Sequence, residues 1–178
     1  NDKISHICIN DADNLACYAK QYAWQIVTKL FPKICKITSD YLPQWPDNRW
    51  DYGYRDWTPD GYHESAVRSV VELVKDSFAE CAQSTPKDLI AFVKRINYPI
   101  SAVGHECIMH AILNLPVGYA DEVIAWLLAD IDNKIFVFSA NENDFLSYSK
   151  QLLQKFSPLC DMHLFRILER YICNWKES

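Results

Sequence analysis

Residues 62–83, YHESAVRSVVELVKDSFAECAQ, decide the fold class. Val67, Val70, Val71, Val74, Phe78 and Cys81 recur at spacings of three and four, so they share one face of a helix. Downstream, Ser84-Thr85-Pro86 reads as a cap with proline at the first helical position. It opens a shorter helix over residues 86–97, with Leu89, Val93 and Ile96 inward. Pro99 then forces a break. Ser101 can cap the next helix, residues 101–115, with Val103, Cys107, Ile108, Ala111 and Leu115 inward. Pro116-Val117-Gly118 ends that helix, and residues 119–129 resume with Val123, Ile124, Leu127 and Leu128.

The same pattern extends to both ends. Upstream, Leu15, Ala19, Tyr22, Ala23, Ile26, Val27 and Leu30 form one apolar stripe over residues 11–31. Asn10 with Asp13 supplies a cap, and Pro32 is expected to stop the helix. Residues 143–156 place Phe145, Leu152 and Phe156 inward. Residues 160–175 do the same with Leu164, Phe165, Leu168, Tyr171, Ile172 and Trp175. Ile135-Phe136-Val137-Phe138 could be a strand, but no second strand pairs with it, so an extended plug against the helices is expected. Seven helices with mostly short connectors predict an all-α protein of helical hairpins stacked as a degenerate HEAT-like or TPR-like array.

Periodicity disappears between Ser39 and Gly61, where Pro43, Pro46 and Pro59 break any helix. This long loop is dense in aromatics and arginine: Trp45, Arg49, Trp50, Tyr52, Tyr54, Arg55 and Trp57. These residue types dominate binding hot spots, so the loop is the candidate protein-binding surface. The alternative is that its tryptophans fold back and cap the apolar end of the array. Asp47, Asp51, Asp56 and Asp60 lie in the same loop, but their spacing is not that of a calcium loop.

Composition narrows the function further. The chain has 178 residues, enough for one domain or one stretch of a longer array. It starts at Asn1, which suggests a processed product or a piece of something longer. A net charge of -5 argues against sequence-independent nucleic-acid binding. The four glycines, Gly53, Gly61, Gly104 and Gly118, are too scattered to cradle a phosphate, and no cofactor is expected. The longest apolar run, residues 123–129, is far short of the roughly 18 residues of a membrane span. Seven cysteines without a CxxC pair read as reduced thiols of a cytoplasmic protein, with Cys17, Cys81, Cys107 and Cys173 at apolar helix positions.

Gly104-His105-Glu106-Cys107-Ile108-Met109-His110 is the most chemical-looking string. Zinc proteases place two histidines at i and i+4, with the glutamate as base. Here the spacing is five, which puts His105 and His110 about 140° apart on a regular helix. The string resembles the spaced HExxxH motif of zinc dipeptidyl peptidases, where a helix bulge restores the geometry. Those enzymes draw a third ligand from a second motif, which this chain lacks. The rival reading is a small helical metal-dependent hydrolase with His105 and His110 as ligands. Cys-His catalysis finds no support, because neighbours two apart on a helix point in nearly opposite directions.

Two further segments carry a family resemblance. They are residues 115–130, LPVGYADEVIAWLLAD, and Phe156-Ser157-Pro158-Leu159-Cys160 leading into Phe165-Arg166-Ile167-Leu168-Glu169. Together they resemble the helical region C-terminal to the NTPase module of bacterial antiviral STAND proteins, the Avs-type defence ATPases. The resemblance implies a non-catalytic sensor or scaffold segment. Its partner would be a phage protein or other parts of the same parent chain. Walker motifs are missing from this sequence, so no ATP-binding residue carries over.

Overall fold

A computed structural model describes residues 12–41, 63–96, 102–131 and 145–174. Among these residues the chain is all-α. The helices are α1 (Ala12–Gln21), α2 (Ala23–Tyr41), α3 (His63–Ser84), α4 (Pro86–Lys94), α5 (Ala102–Leu113), α6 (Ala120–Leu128), α7 (Phe145–Phe156) and α8 (Met162–Asn174). Short 3-10 turns, Val117–Tyr119 and Ser157–Leu159, introduce α6 and α8.

The core forms where the apolar faces predicted from periodicity converge. Val71, Val74, Phe78 and Cys81 of α3 are buried against α1, α2 and α5. Phe31 of α2 meets Phe78 edge-on with ring centroids 5.0 Å apart, and Phe92 of α4 closes the aromatic group at 6.2 Å from Phe78. Helix α5 lies between α2, α3 and α7. It therefore buries more than one stripe: Val103, Cys107, Ile108, Met109, Ala111 and Ile112 are all inside. A helix apolar on most sides belongs in such a central position. Helix α7 continues from α5 to α6, and α8 rests on α6.

Polar groups close the helix ends. Lys155 of α7 donates to the carbonyls of Leu113 and Leu115, at 2.7 and 2.9 Å, just where α5 runs out of N–H partners. The Gln83 side chain donates to the Asn114 carbonyl at the same end. Asp161 caps α8 by accepting the His163 N–H at 2.7 Å. Its own N–H donates to the Asp121 carboxylate, which ties α8 to the first turn of α6.

Several expectations are corrected. Pro32 does not end the first helix but sits inside α2. A proline in a helix interior costs about 3 kcal/mol. Beyond it, Ile34 and Cys35 are buried, and each large apolar side chain so buried returns roughly 1.5–3 kcal/mol. Packing outweighs the lost hydrogen bond. The predicted single helix over 11–31 is instead divided at Tyr22, so the described helices number eight and not seven. The i→i−4 bonds nevertheless continue through the bend, from Tyr22 N–H to Tyr18 and from Ile26 N–H to Tyr22. Tyr22, Tyr171 and Ile172 are exposed and not inward. Cys17 and Cys173 are exposed as well, whereas Cys35, Cys81 and Cys107 are buried. Thr85 takes the N-cap position of α4, yet its hydroxyl makes no capping bond. That oxygen accepts the Trp24 indole N–H at 2.8 Å, pinning α2 to the α3–α4 corner.

The plug reading of Ile135–Phe138 and the caps at Asn10 and Ser101 fall outside the described residues.

Candidate functional site

The polar groups that the fold brings together inside lie along the junction of α3, α5 and α7. Lys75 of α3 projects toward α5 and meets Glu106 at 2.9 Å, with side chains 12% and 19% exposed. Glu72, one turn away, is a weaker second partner at 3.4 Å. Burial works to lower the Lys75 pKa, but the hydrogen bond and charge of Glu106 outweigh it and hold the ammonium above its ordinary value. Asp76 shifts the other way from an ordinary carboxylate, raised by burial and by the negative charge of Glu72.

His110 sits one turn beyond Glu106 on the same helix. Its ring meets Tyr148 of α7 edge-on at 6.3 Å, and its Nε2 lies 3.3 Å from the Asn114 amide nitrogen. Burial lowers its pKa, and the positive charge of Lys75 adds to that. Tyr148 is raised, chiefly by burial. The neighbouring Ser149 hydroxyl is buried without a hydrogen-bond partner, so it adds an unmatched polar atom to the α7 face.

This geometry bears directly on the HExxxH string. Helix α5 is a regular α-helix from Ala102 to Leu113. Its five-residue spacing therefore keeps His105 and His110 about 140° apart. Glu106, the base of the hydrolase reading, is committed to Lys75. No three His, Cys, Asp or Glu side chains among the described residues are grouped as a metal ion requires. Cys107 is fully buried in the core, and burial pushes its thiol far above the ordinary range. The Cys81 thiol is likewise pushed up to about 12 by burial. Neither is a nucleophile at neutral pH.

A shallow apolar crevice lies between α4, α5 and α6, walled by Leu89, Val93, Ile112, Val123 and Trp126. Glu122 is the one charged residue in its lining, so it lacks the convergent set of polar groups that orients a substrate. The aromatic-loop residues Trp45, Arg49, Trp50, Tyr52, Tyr54, Arg55 and Trp57 lie outside the described residues.

Comparison with protein-family models, curated proteins and solved structures returns no match. Among the described residues, no single helix is long and apolar enough to cross a membrane.

Sequence reasoning missed the Lys75–Glu106 pair. A trace existed: on the helical wheel Lys75 falls beside the buried Val71–Val74–Phe78 stripe, not opposite it. A lysine there needs a carboxylate from the next helix.

The His110 environment has a pH consequence. A histidine with a depressed folded pKa contributes stability that is present above the unfolded value of 6.5 and is lost as pH falls from there through the lower folded value. Its neighbours are Lys75, Glu72 and Asp76 of α3, Glu106 of its own helix and Tyr148 of α7. Asp76, whose carboxyl is raised above its ordinary value by burial and by Glu72, acts in the opposite direction. The melting temperature is expected to fall between about pH 7 and 5, and His110→Gln is expected to flatten that slope. Equal slopes for the two proteins would remove His110 from the account.

Proposed function

We propose that this chain is a non-catalytic, protein-binding helical segment, stacked as a degenerate repeat array, that serves as sensor or scaffold in an antiviral STAND-type ATPase. The order of packing carries the array part of the reading. Helices α3, α5 and α7 follow one another side by side, and α8 is added on α6. Such stepwise packing is how repeat proteins bury a core that no single hairpin could bury alone. The polar junction supports a structural role, since its strongest interaction is an ion pair between neighbouring helices. The resemblance of residues 115–130 and 156–169 supplies the parent class.

The array reading predicts an elongated molecule. A compact globule of this length has a radius of gyration of about 16 Å. Solution scattering of the monomer is expected to exceed that value, and agreement with it would count against stacking.

The partner reading is tested on the aromatic loop. Trp50→Ala and Trp57→Ala are expected to weaken capture of the cognate phage protein by on the order of 2 kcal/mol while leaving the melting temperature unchanged. A loss of roughly 3–5 kcal/mol in stability, with Arg49→Ala and Arg55→Ala silent in every assay, would make the loop an end cap. An unrelated catalytic module in place of an NTPase in the full-length gene would overturn the parent class.

A further inference from the structure

Helices α1 and α2 carry an outward row of exposed side chains. Tyr18, Tyr22, Gln25, Lys29, Lys33 and Lys36 are all exposed. At about 100° per residue they fall within roughly 80° of arc, one continuous ridge. The stacking of Tyr18 on Tyr22, with centroids 6.3 Å apart, agrees with that register across the bend. No acidic residue occurs anywhere from Ala16 to Lys36, in a chain whose net charge is -5.

Helix α3 carries the complementary row. Glu72 and Asp76 are exposed and Glu80 is partly so, spaced four residues apart on one face. Lys75 is shared between Glu72 and Glu106, which leaves this row net negative. The two rows also match in length. Lys29 to Lys36 rises about 10 Å along its helix and Glu72 to Glu80 about 12 Å.

The Phe31–Phe78 contact fixes how the rows are disposed. Each phenylalanine lies roughly 160° around its helix from the centre of the charged row. The packed α2–α3 pair therefore turns its basic row to one side and its acidic row to the other. Within one chain the rows face apart and cannot neutralise each other.

We infer that the tyrosine–lysine ridge of α1 and α2 docks the α3 acidic row of a second copy of this chain. The contact is front-to-back. Two different surfaces meet, so each association leaves a free row at both ends and growth does not close at a dimer. Lysine–carboxylate pairs supply register and salt sensitivity. Tyr18 and Tyr22 supply apolar area of low conformational cost. The inference stands independently of the sensor function proposed above, since it needs neither a parent ATPase nor a phage partner.

The test is sedimentation equilibrium of the 178-residue chain over a range of concentrations. In about 20 mM salt the average mass is expected to rise past that of a dimer, and in about 500 mM salt association is expected to weaken at least ten-fold. Lys29→Glu/Lys33→Glu/Lys36→Glu is expected to stay monomeric, and so is Asp76→Lys/Glu80→Lys. An equimolar mixture of the two charge-reversed proteins is expected to associate again. Tyr18→Ala/Tyr22→Ala is expected to weaken assembly without changing its salt dependence. A monomer at every concentration overturns the inference, as does a closed dimer indifferent to salt. If the reversed variants do not fold, the salt response of the unmodified chain still decides. Saturable binding of an oligothymidylate to a protein that stays monomeric would reassign the lysine row to nucleic acid.

Discussion

Replacing Phe78 by alanine is expected to destabilise the chain by about 3–5 kcal/mol, the usual result of emptying a buried aromatic site. Phe78 is fully buried and joins three helices, touching Phe31 of α2 and Phe92 of α4 from its own place on α3. The hole cannot collapse from one side alone, because each wall belongs to a different helix. For a domain of this size the melting temperature should fall by roughly 10 °C. The control is Tyr171→Ala on α8, where the side chain is 48% exposed. That change should stay within about 0.5 kcal/mol of the unmodified protein. Calorimetric melts of the two variants make the comparison. A Phe78 variant that melts with the Tyr171 variant would mean the aromatic group is not the keystone of the α2–α3–α4 packing.

The second large effect belongs to the α3–α5 ion pair. Glu106→Leu leaves the Lys75 ammonium in a site where the side chain is only 12% exposed. Breaking a buried pair from one side typically costs about 3–5 kcal/mol, because the remaining charge has no compensation. Glu72 softens the loss, but its contact is longer and its own side chain is half exposed. Lys75→Met/Glu106→Leu is expected to recover most of the stability, since an apolar pair of similar volume needs no desolvation. Denaturant titrations of both singles and the double close the cycle. A double variant as unstable as Glu106→Leu would show that the pair is held for its packing and not its charge. The sign with pH also follows. The Lys75 pKa is raised in the folded protein, so the pair's contribution is fully present below the ordinary lysine value and is lost only as pH rises through the higher folded one.

Local patterns settled a good part of this molecule. The three-and-four spacing of Val71, Val74, Phe78 and Cys81 predicted both the existence of α3 and the face it buries. Pro86 marked the first residue of α4, and Pro116 the boundary between α5 and the turn before α6. These signals are legible because they are imposed by backbone sterics and by burial of one stripe, and neither needs a distant residue. The aromatic loop stands out by composition alone, and its residues lie outside the described ones.

Other features were decided only by tertiary structure. Pro32 lies inside α2 because the apolar residues around it have α3 and α5 to pack against, a gain no local pattern contains. Tyr171 and Ile172 continue the apolar stripe of α8, yet they are exposed in its last turn. Periodicity specifies a face but not the length of the neighbour that covers it. The HExxxH string read as chemistry on its own, and the fold turned its glutamate into the partner of Lys75, thirty-one residues earlier. The sequence by itself determined the all-α class and the apolar faces of most of the described helices. Which charges would be buried, which proline would be tolerated and which stripes would stay uncovered depended on where the other helices came to rest, since burial and pairing energies arise only between segments.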